Sequence, residues 1–393
     1  MSRHASMNRI FRTVWNEVLG TWVAVQETAR GRGKRSVRST AALAPMLAAL
    51  AMVSPSQAAP PGQPPAANTL PTGGVVKAGQ AAINAGAGAV LNIDQGSQRA
   101  AIDWATFNLG SAAQVNFNQP NAAAATLNRV LDSNPSQIFG KITATGQVIL
   151  SNPNGVLFGK SASVDVGGLT ATTHAISDAD FMAGKATYSR NGATGSVINE
   201  GELRAALGGY VALLAPEVRN EGVIVARMGM VALAAGEVIA LQFAGNNTLA
   251  GITVQPGTLK ALVENRGAVV VPGGLVVLSA RSLDQLQGGV IRNSGRIEAT
   301  GLSMKNGRIV LDASDRIENS GSLRADAGSD GSPAGQISLS APVVVNSGTI
   351  AAVAAPAPVT LDPAVAAPAA TPEAGGQITI SAEQFTQAGA GLI

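Results

Sequence analysis

The chain contains no cysteine, and its only histidines are His4 and His174. Without thiols there is no disulfide, no thiolate metal site and no cysteine nucleophile. A metal centre or a Ser/His/Asp triad would have to rest on His174 alone, so we expect no metal, no cofactor and no enzyme activity. Aromatic residues make up 3% of the 393 residues and charged residues 13%, the latter about half the usual share. With so few rings, a core must be thin and layered. Long apolar runs are also missing. Ala41–Val53 is apolar over 13 residues but carries Pro45, and a membrane-spanning helix needs about 20. No phosphate loop, dinucleotide fingerprint or zinc spacing is present.

Positive charge is scarce outside the first residues. Residues 1–58 hold eight Arg or Lys against Glu17 and Glu27, a net of +6, while the whole chain is +3. The remainder is therefore about −3, and the electrostatic case for nucleic-acid binding disappears. The basic stretch 30–38, the apolar run to Val53 and the small residues Ser56-Gln57-Ala58 form a secretory signal, with cleavage expected between Ala58 and Ala59. Ahead of it lie Met7-Asn8-Arg9-Ile10, Trp15-Asn16 and Trp22-Val23-Ala24-Val25-Gln26-Glu27. This pattern resembles the extended signal-peptide region of type V secreted proteins and suggests translation from Met7. We take residues 1–58 as a helical, cleaved leader and 59–72, rich in proline, as a linker.

What is abundant is a short strand pattern, repeated. Apolar-x-Asn-x-Gly-x-apolar signatures centre on Asn199, Asn220, Asn265, Asn293, Asn319 and Asn346. Between them run Gly-x-Val/Ile-x-Leu/Ile-x-Ala segments beginning at Gly209, Gly229, Gly274, Gly307, Gly335 and Gly376. A period of 20 to 28 residues with two or three strands per repeat is the mark of a β-solenoid. One rung cannot bury its own inner face, so rungs stack and share a core. An Asn recurring at one corner can form a side-chain amide ladder. The interval of 45 residues between Asn220 and Asn265 predicts two turns with one motif lost. The Ala/Pro-rich stretch 353–375 should loop out. The segment after Phe385 begins a further rung without a polar cap, which predicts a fragment of a longer protein.

The strongest local signal is Gly146-Gln147-Val148-Ile149-Leu150-Ser151-Asn152-Pro153-Asn154-Gly155-Val156-Leu157-Phe158-Gly159. Val148 and Leu150 alternate with polar or outward positions, Pro153 ends the strand, and Asn154-Gly155 turns the chain. A second Asn-Pro turn precedes it at Asn134-Pro135-Ser136. With Trp104, Phe107-Asn108-Leu109-Gly110, Val115-Asn116-Phe117, Leu127-Asn128-Arg129-Val130 and Gly140-Lys141-Ile142, this resembles the N-terminal secretion domain of two-partner secretion exoproteins, the filamentous haemagglutinin family. Some members have Asn-Pro-Asn-Leu where this chain has Asn-Pro-Ser-Gln, so Asn152–Gly155 is the stronger match.

The resemblance implies an all-β, right-handed parallel β-helix with an N-terminal cap. The secretion domain would cover 73–200 or further, followed by continuing repeats over 201–393. It also implies export by the Sec machinery, then passage through an outer-membrane β-barrel transporter with POTRA repeats to the surface or medium. A host-cell or carbohydrate receptor would be the partner of an adhesin. Asn152, Pro153, Asn154, Gly155, Asn134 and Pro135 are expected to carry secretion competence, either as a recognition site or as turns that set the first rungs in register. Two other functions stay open: the front module of a cytolysin or contact-dependent toxin, and a carbohydrate-active β-helix enzyme. The latter would need paired carboxylates. Asp178 with Asp180, Asp312 with Asp315 and Asp326 with Asp330 are candidates, each expected to serve its own turn instead. Asn246-Asn247-Thr248 is a glycosylation sequon by pattern.

Overall fold

The computed structural model describes residues 11–16, 21–26, 63–245, 248–283, 288–355, 375–389 and 391–393. The predicted cleavage residues Ala58 and Ala59, the apolar run 41–53, Asn246-Asn247 of the sequon and most of 353–375 lie outside them. Two compact units divide the chain, Met1–Gln57 and Ala58–Ile393. In the first, Phe11–Asn16 and Thr21–Gln26 pair antiparallel, with Phe11 opposite Gln26 and Asn16 opposite Thr21. This corrects the helical expectation for these residues. Phe11, Thr13, Val14, Trp15, Thr21, Trp22, Val23 and Val25 are β-branched or aromatic, types that lose rotamer freedom in a helix and fit a pleated strand.

In the second unit the chain winds into a three-sided coil of parallel strands. A representative rung is Glu217–Asn220, Val223–Val225 and Met230–Ala235. It stacks on Ala261–Asn265, Ala268–Val270 and Leu275–Ala280 in strict register. Gly289–Asn293, Arg296–Glu298 and Arg308–Ala313 follow, then Arg316–Asn319, Ser322–Arg324 and Gln336–Ser340. The coil continues past the Ala/Pro-rich stretch, since Gln377–Ser381 pairs with Gln336–Ser340. Inward residues form three apolar columns. Val218, Val263, Ile291, Ile317 and Val344 make one; Ile224, Val269, Ile297, Leu323 and Ile350 the second; Leu233, Leu278, Leu311 and Leu339 lie in the third, all buried in one core. Side chains alternate across each strand, so one short strand per side per rung suffices to fill that interior.

The Asn ladder runs as the repeat predicts. The Nδ2 of Asn199 donates to Asn220 Oδ1, Asn220 to Asn265, Asn265 to Asn293 and Asn293 to Asn319, each at 2.8 Å. Asn319 donates to Asn346 at 2.7 Å, and Asn346 to Gln387 Oε1 at 3.1 Å. Asn220 bonds directly to Asn265, so the long interval holds no lost rung. It holds an insertion: Val238–Phe243 and Leu249–Gln255 pair antiparallel and join Thr187–Ser189 in a separate small sheet. The Asn-x-Gly glycines serve close approach. A Cβ on Gly222, Gly267, Gly295, Gly321 or Gly348 would stand 2.0–2.1 Å from the carbonyl oxygen of the glycine one rung earlier, which no side chain allows.

At the N-terminal end Val75–Ala78 and Ala81–Ala85 run antiparallel to Arg99–Trp104 and Val90–Gln95. They form the expected cap and turn the chain's first parallel edge away from solvent. Outside the coil, the short helix Asp178–Met182 and the inserted hairpin cover one sheet face. Phe181, Tyr188, Tyr210, Leu214, Ile239 and Leu249 pack there in a second buried cluster. Ile149 belongs to that cluster while Val148 and Leu150 belong to the main core, so Gln147–Ser151 is buried on both faces where its alternation predicts one.

Candidate functional site: two interlocked Asn-Pro turns

The strand Val156–Phe158 lies parallel on Ser136–Ile138, with Val156 opposite Ser136. That register sets the second Asn-Pro turn directly on the first. Asn152 is fully buried and uses every polar group. Its backbone N–H donates to Thr172 O at 2.9 Å. Its Nδ2 donates to Asn134 O and Ser136 Oγ, both at 3.0 Å. Its Oδ1 accepts from the Asn154 backbone N–H at 2.9 Å, closing an Asx turn over Pro153. Gly155 then donates to Asn152 O at 3.0 Å and takes φ +121°, a conformation that favours glycine. A Cβ there would also meet Ser196 O at 2.9 Å.

The first turn answers with its own bonds. Asp132 Oδ1 accepts from Asn134 N at 3.1 Å and Asn134 Nδ2 at 3.0 Å. Asn154 Nδ2 reaches back to Asp132 O at 2.8 Å, and Ser136 N–H donates to Gly155 O at 3.0 Å. Ser136, which stands where some family members have asparagine, thus supplies the hydroxyl that receives Asn152. All six sequence-predicted residues come together at one corner of adjacent rungs. Pro135, Pro153 and Asn154 are exposed, Asn134 is half-buried, and Asn152 and Gly155 are buried. Beside them a shallow concavity of about 240 Å³ is bounded by Pro135, Phe139, Asn154, Leu157 and Ile198.

The other motif residues tie the first rungs together. Trp104 Nε1 donates to Asn128 Oδ1 at 3.0 Å in the core, and the Trp104 ring meets Phe107 edge-on at 5.4 Å. Arg129 bridges Asp103 at 2.6 Å and Asp178 at 2.8 Å. Asn108 Oδ1 accepts from Gln137 N–H at 2.8 Å.

A family model described as the TPS secretion domain matches residues 67–325. A second, the Extended Signal Peptide of Type V secretion system, matches residues 7–55. The chain belongs to the TPS secretion domain family. Two heme/hemopexin-binding proteins of Haemophilus influenzae are similar to it. One is 33% identical over 270 residues, covering 66% of this chain and 29% of the relative; the other is 30% identical over 249 residues, covering 58% and 26%. The chain therefore spans under a third of the length of these relatives. The HMW1 secretion domain from Haemophilus influenzae has the same fold, with a TM-score of 0.56 at 23% identity over 81% of this chain and 100% of that one. A TPS domain behind an extended signal peptide implies secretion across the outer membrane, and the family's members are generally non-enzymatic secreted proteins.

Most of the other candidate groups are engaged structurally. His174 is buried, its Nε2 within 2.9 Å of Gly236 O. A carbonyl can only accept, so Nε2 carries a proton and donates it. Burial pushes its pKa below the ordinary histidine value. Asp178 pairs with Arg129; Asp180 accepts from the hydroxyl of Ser177, the helix N-cap, and pairs with Lys185. Asp312 pairs with Arg281, and Asp326 with Arg324. The Ser332 hydroxyl, and then the Ser303 and Ser332 backbone N–H groups, donate to Asp330 and hold its pKa below the usual carboxylate range. The backbone carbonyl of Asp315, not its carboxylate, accepts from Val343 N–H. Among the described residues no group of three His, Cys, Asp or Glu is placed to hold a metal ion. Sequence reasoning missed Ser136 and Thr172 as partners of Asn152, because each lies on another rung, and it missed the local contact of Asp132 with Asn134.

Proposed function

We propose that this chain is the export-directing front part of an adhesin-type exoprotein. The Sec machinery would carry it to the periplasm, and a dedicated outer-membrane β-barrel transporter with POTRA repeats would pass it to the surface or medium. The interlocked turns at Asn134-Pro135 and Asn152–Gly155 are the observation that carries this reading. An unfolded chain offers strand edges that can add to a partner's sheet. Once the first rungs close at the surface, each completed rung presents a pairing edge for the next. Folding then proceeds in one direction without ATP.

We assign two roles within the motif. Buried Asn152 is assigned to closing the first rungs. Exposed Pro153, Asn154 and Pro135 are assigned to contact with the transporter while the turn is formed. The test is co-expression with the transporter of the wild-type protein, Asn152→Ile and Asn154→Ala, scoring protein in the medium and the stability of what is released. Asn152→Ile should abolish secretion and folding together. Asn154→Ala loses one bond to Asp132 O, should fold, and should be secreted less well. Normal yield from both variants would refute the assignment. The relatives named for heme or hemopexin binding support a second reading, capture of such a ligand by the longer protein. Retention of the protein on hemopexin or heme resin would favour it over adhesion.

A further inference from the structure

A small cavity of about 50 Å³ lies between the outer cover and the coil, lined by Arg99, Gln147, Phe181, Lys185, Tyr188 and Tyr210 among others. No carboxylate lines it. Arg99 is half-buried and sits over the Phe181 ring at 5.4 Å to the centroid, a cation–π contact that leaves its N–H groups unused. Every other half-buried arginine among the described residues faces a carboxylate: Arg129, Arg190, Arg219, Arg281, Arg316 and Arg324. Arg99 has no such partner. Gln147 spends its Oε1 on the Tyr210 hydroxyl at 3.2 Å, and its Nε2 donates to no protein group. Two sets of unused donors thus face one cavity.

We propose that this cavity is a binding site for one carboxylate group. The guanidinium fork matches the two oxygens of a carboxylate, and the Gln147 amide adds a donor beside it. The charge count selects the anion. Lys185 is already paired with Asp180 at 2.7 Å, so one positive charge remains uncompensated. A carboxylate neutralises it, while a phosphate's second charge would be left unpaired in a half-buried place. The size agrees, since about 50 Å³ admits a carboxylate and its first carbon but no ring. The group could come from a small free acid or from an acidic monosaccharide whose ring stays at the mouth.

Calorimetric titration at constant ionic strength with acetate, glucuronate and inorganic phosphate tests this on the wild-type protein, Arg99→Gln and Arg99→Lys. Wild type should bind acetate or glucuronate saturably in the millimolar range. Arg99→Gln should weaken binding at least tenfold without changing the circular dichroism of the unliganded protein. Arg99→Lys keeps the charge and loses the fork, and should bind at an intermediate level; it carries the test if the glutamine variant does not fold. Tighter binding of glucuronate than of acetate would mark an acidic sugar as the source, and the reverse order a free acid. No saturable binding of either, equal binding by Arg99→Gln, or phosphate binding as tightly as the carboxylates would overturn the proposal.

Discussion

Asn152 shows how one residue ties two rungs. Its side chain satisfies a carbonyl and a hydroxyl of the preceding turn and one N–H of its own, with no solvent exposure. Truncating it strands those groups in the interior, at about 1–3 kcal/mol. His174 gives a separate residue-level prediction. Desolvation is the main cause of its lowered pKa, offset in part by the Gly236 carbonyl and Glu237 and reinforced by Arg190. The unfolded chain therefore binds the proton more readily than the folded one. Its contribution is fully present above the unfolded value of about 6.5 and is lost as pH falls below it. Urea unfolding between pH 7.5 and 5 should show stability falling, with a slope from this proton of at most about 1.4 kcal/mol per pH unit. His174→Asn should flatten that slope. The lowered carboxyls Asp94, Asp180 and Asp330 act only below about pH 4, so they do not confuse the window. An equally steep slope in the variant would contradict the assignment.

At the scale of the element, the stack must solve a problem that its core cannot. The inner columns and the Asn ladder repeat at every rung, so neither distinguishes one rung from the next. The outward positions of the first face do. Arg219, Glu264, Arg292 and Glu318 follow one another in register, with alternating sign. Leaving out one rung would set Arg219 against Arg292, or Glu264 against Glu318. Glu264 is buried and lies 3.7 Å from Arg219 Nε, which has no hydrogen-bond partner, and 3.1 Å from Arg266. Glu264→Arg would place like charges on successive rungs. We expect about 1–2 kcal/mol of lost stability after allowing for the partial exposure of the arginines. High salt should restore part of it. Denaturant curves at low and high salt measure both, and unchanged midpoints would contradict the role.

Across the whole molecule, the readable parts were those where one rung repeats another. The Asn-x-Gly and Gly-x-Val-x-Leu-x-Ala signatures name two sides of the coil, and the Asn column could be inferred from spacing alone. The third, short side, such as Val223–Val225 and Arg296–Glu298, shows only as the final apolar residue of the Asn-x-Gly signature, Ile224 or Ile297. The inserted hairpin was misread as a missing rung because Val238–Phe243 alternates like any strand of the coil; only its antiparallel partner tells it apart. At the site, the turn chemistry of Asn152–Gly155 was legible locally. Its locking to Asp132, Asn134 and Ser136 was not, since those contacts depend on the stacking register of separate rungs.

The central claim is that the interlocked Asn-Pro turns close the first rungs, on which the rest of the coil is laid down in order. Pulse-labelled hydrogen exchange during refolding of the wild-type protein and Asn152→Ala tests it directly. The account predicts that amides of Ser136–Ile138, Gln147–Ser151 and Val156–Phe158 gain protection before those of Arg316–Asn319 and Val343–Asn346, and that Asn152→Ala delays both sets. Earlier protection of the later rungs, or normal timing in the variant, would contradict it.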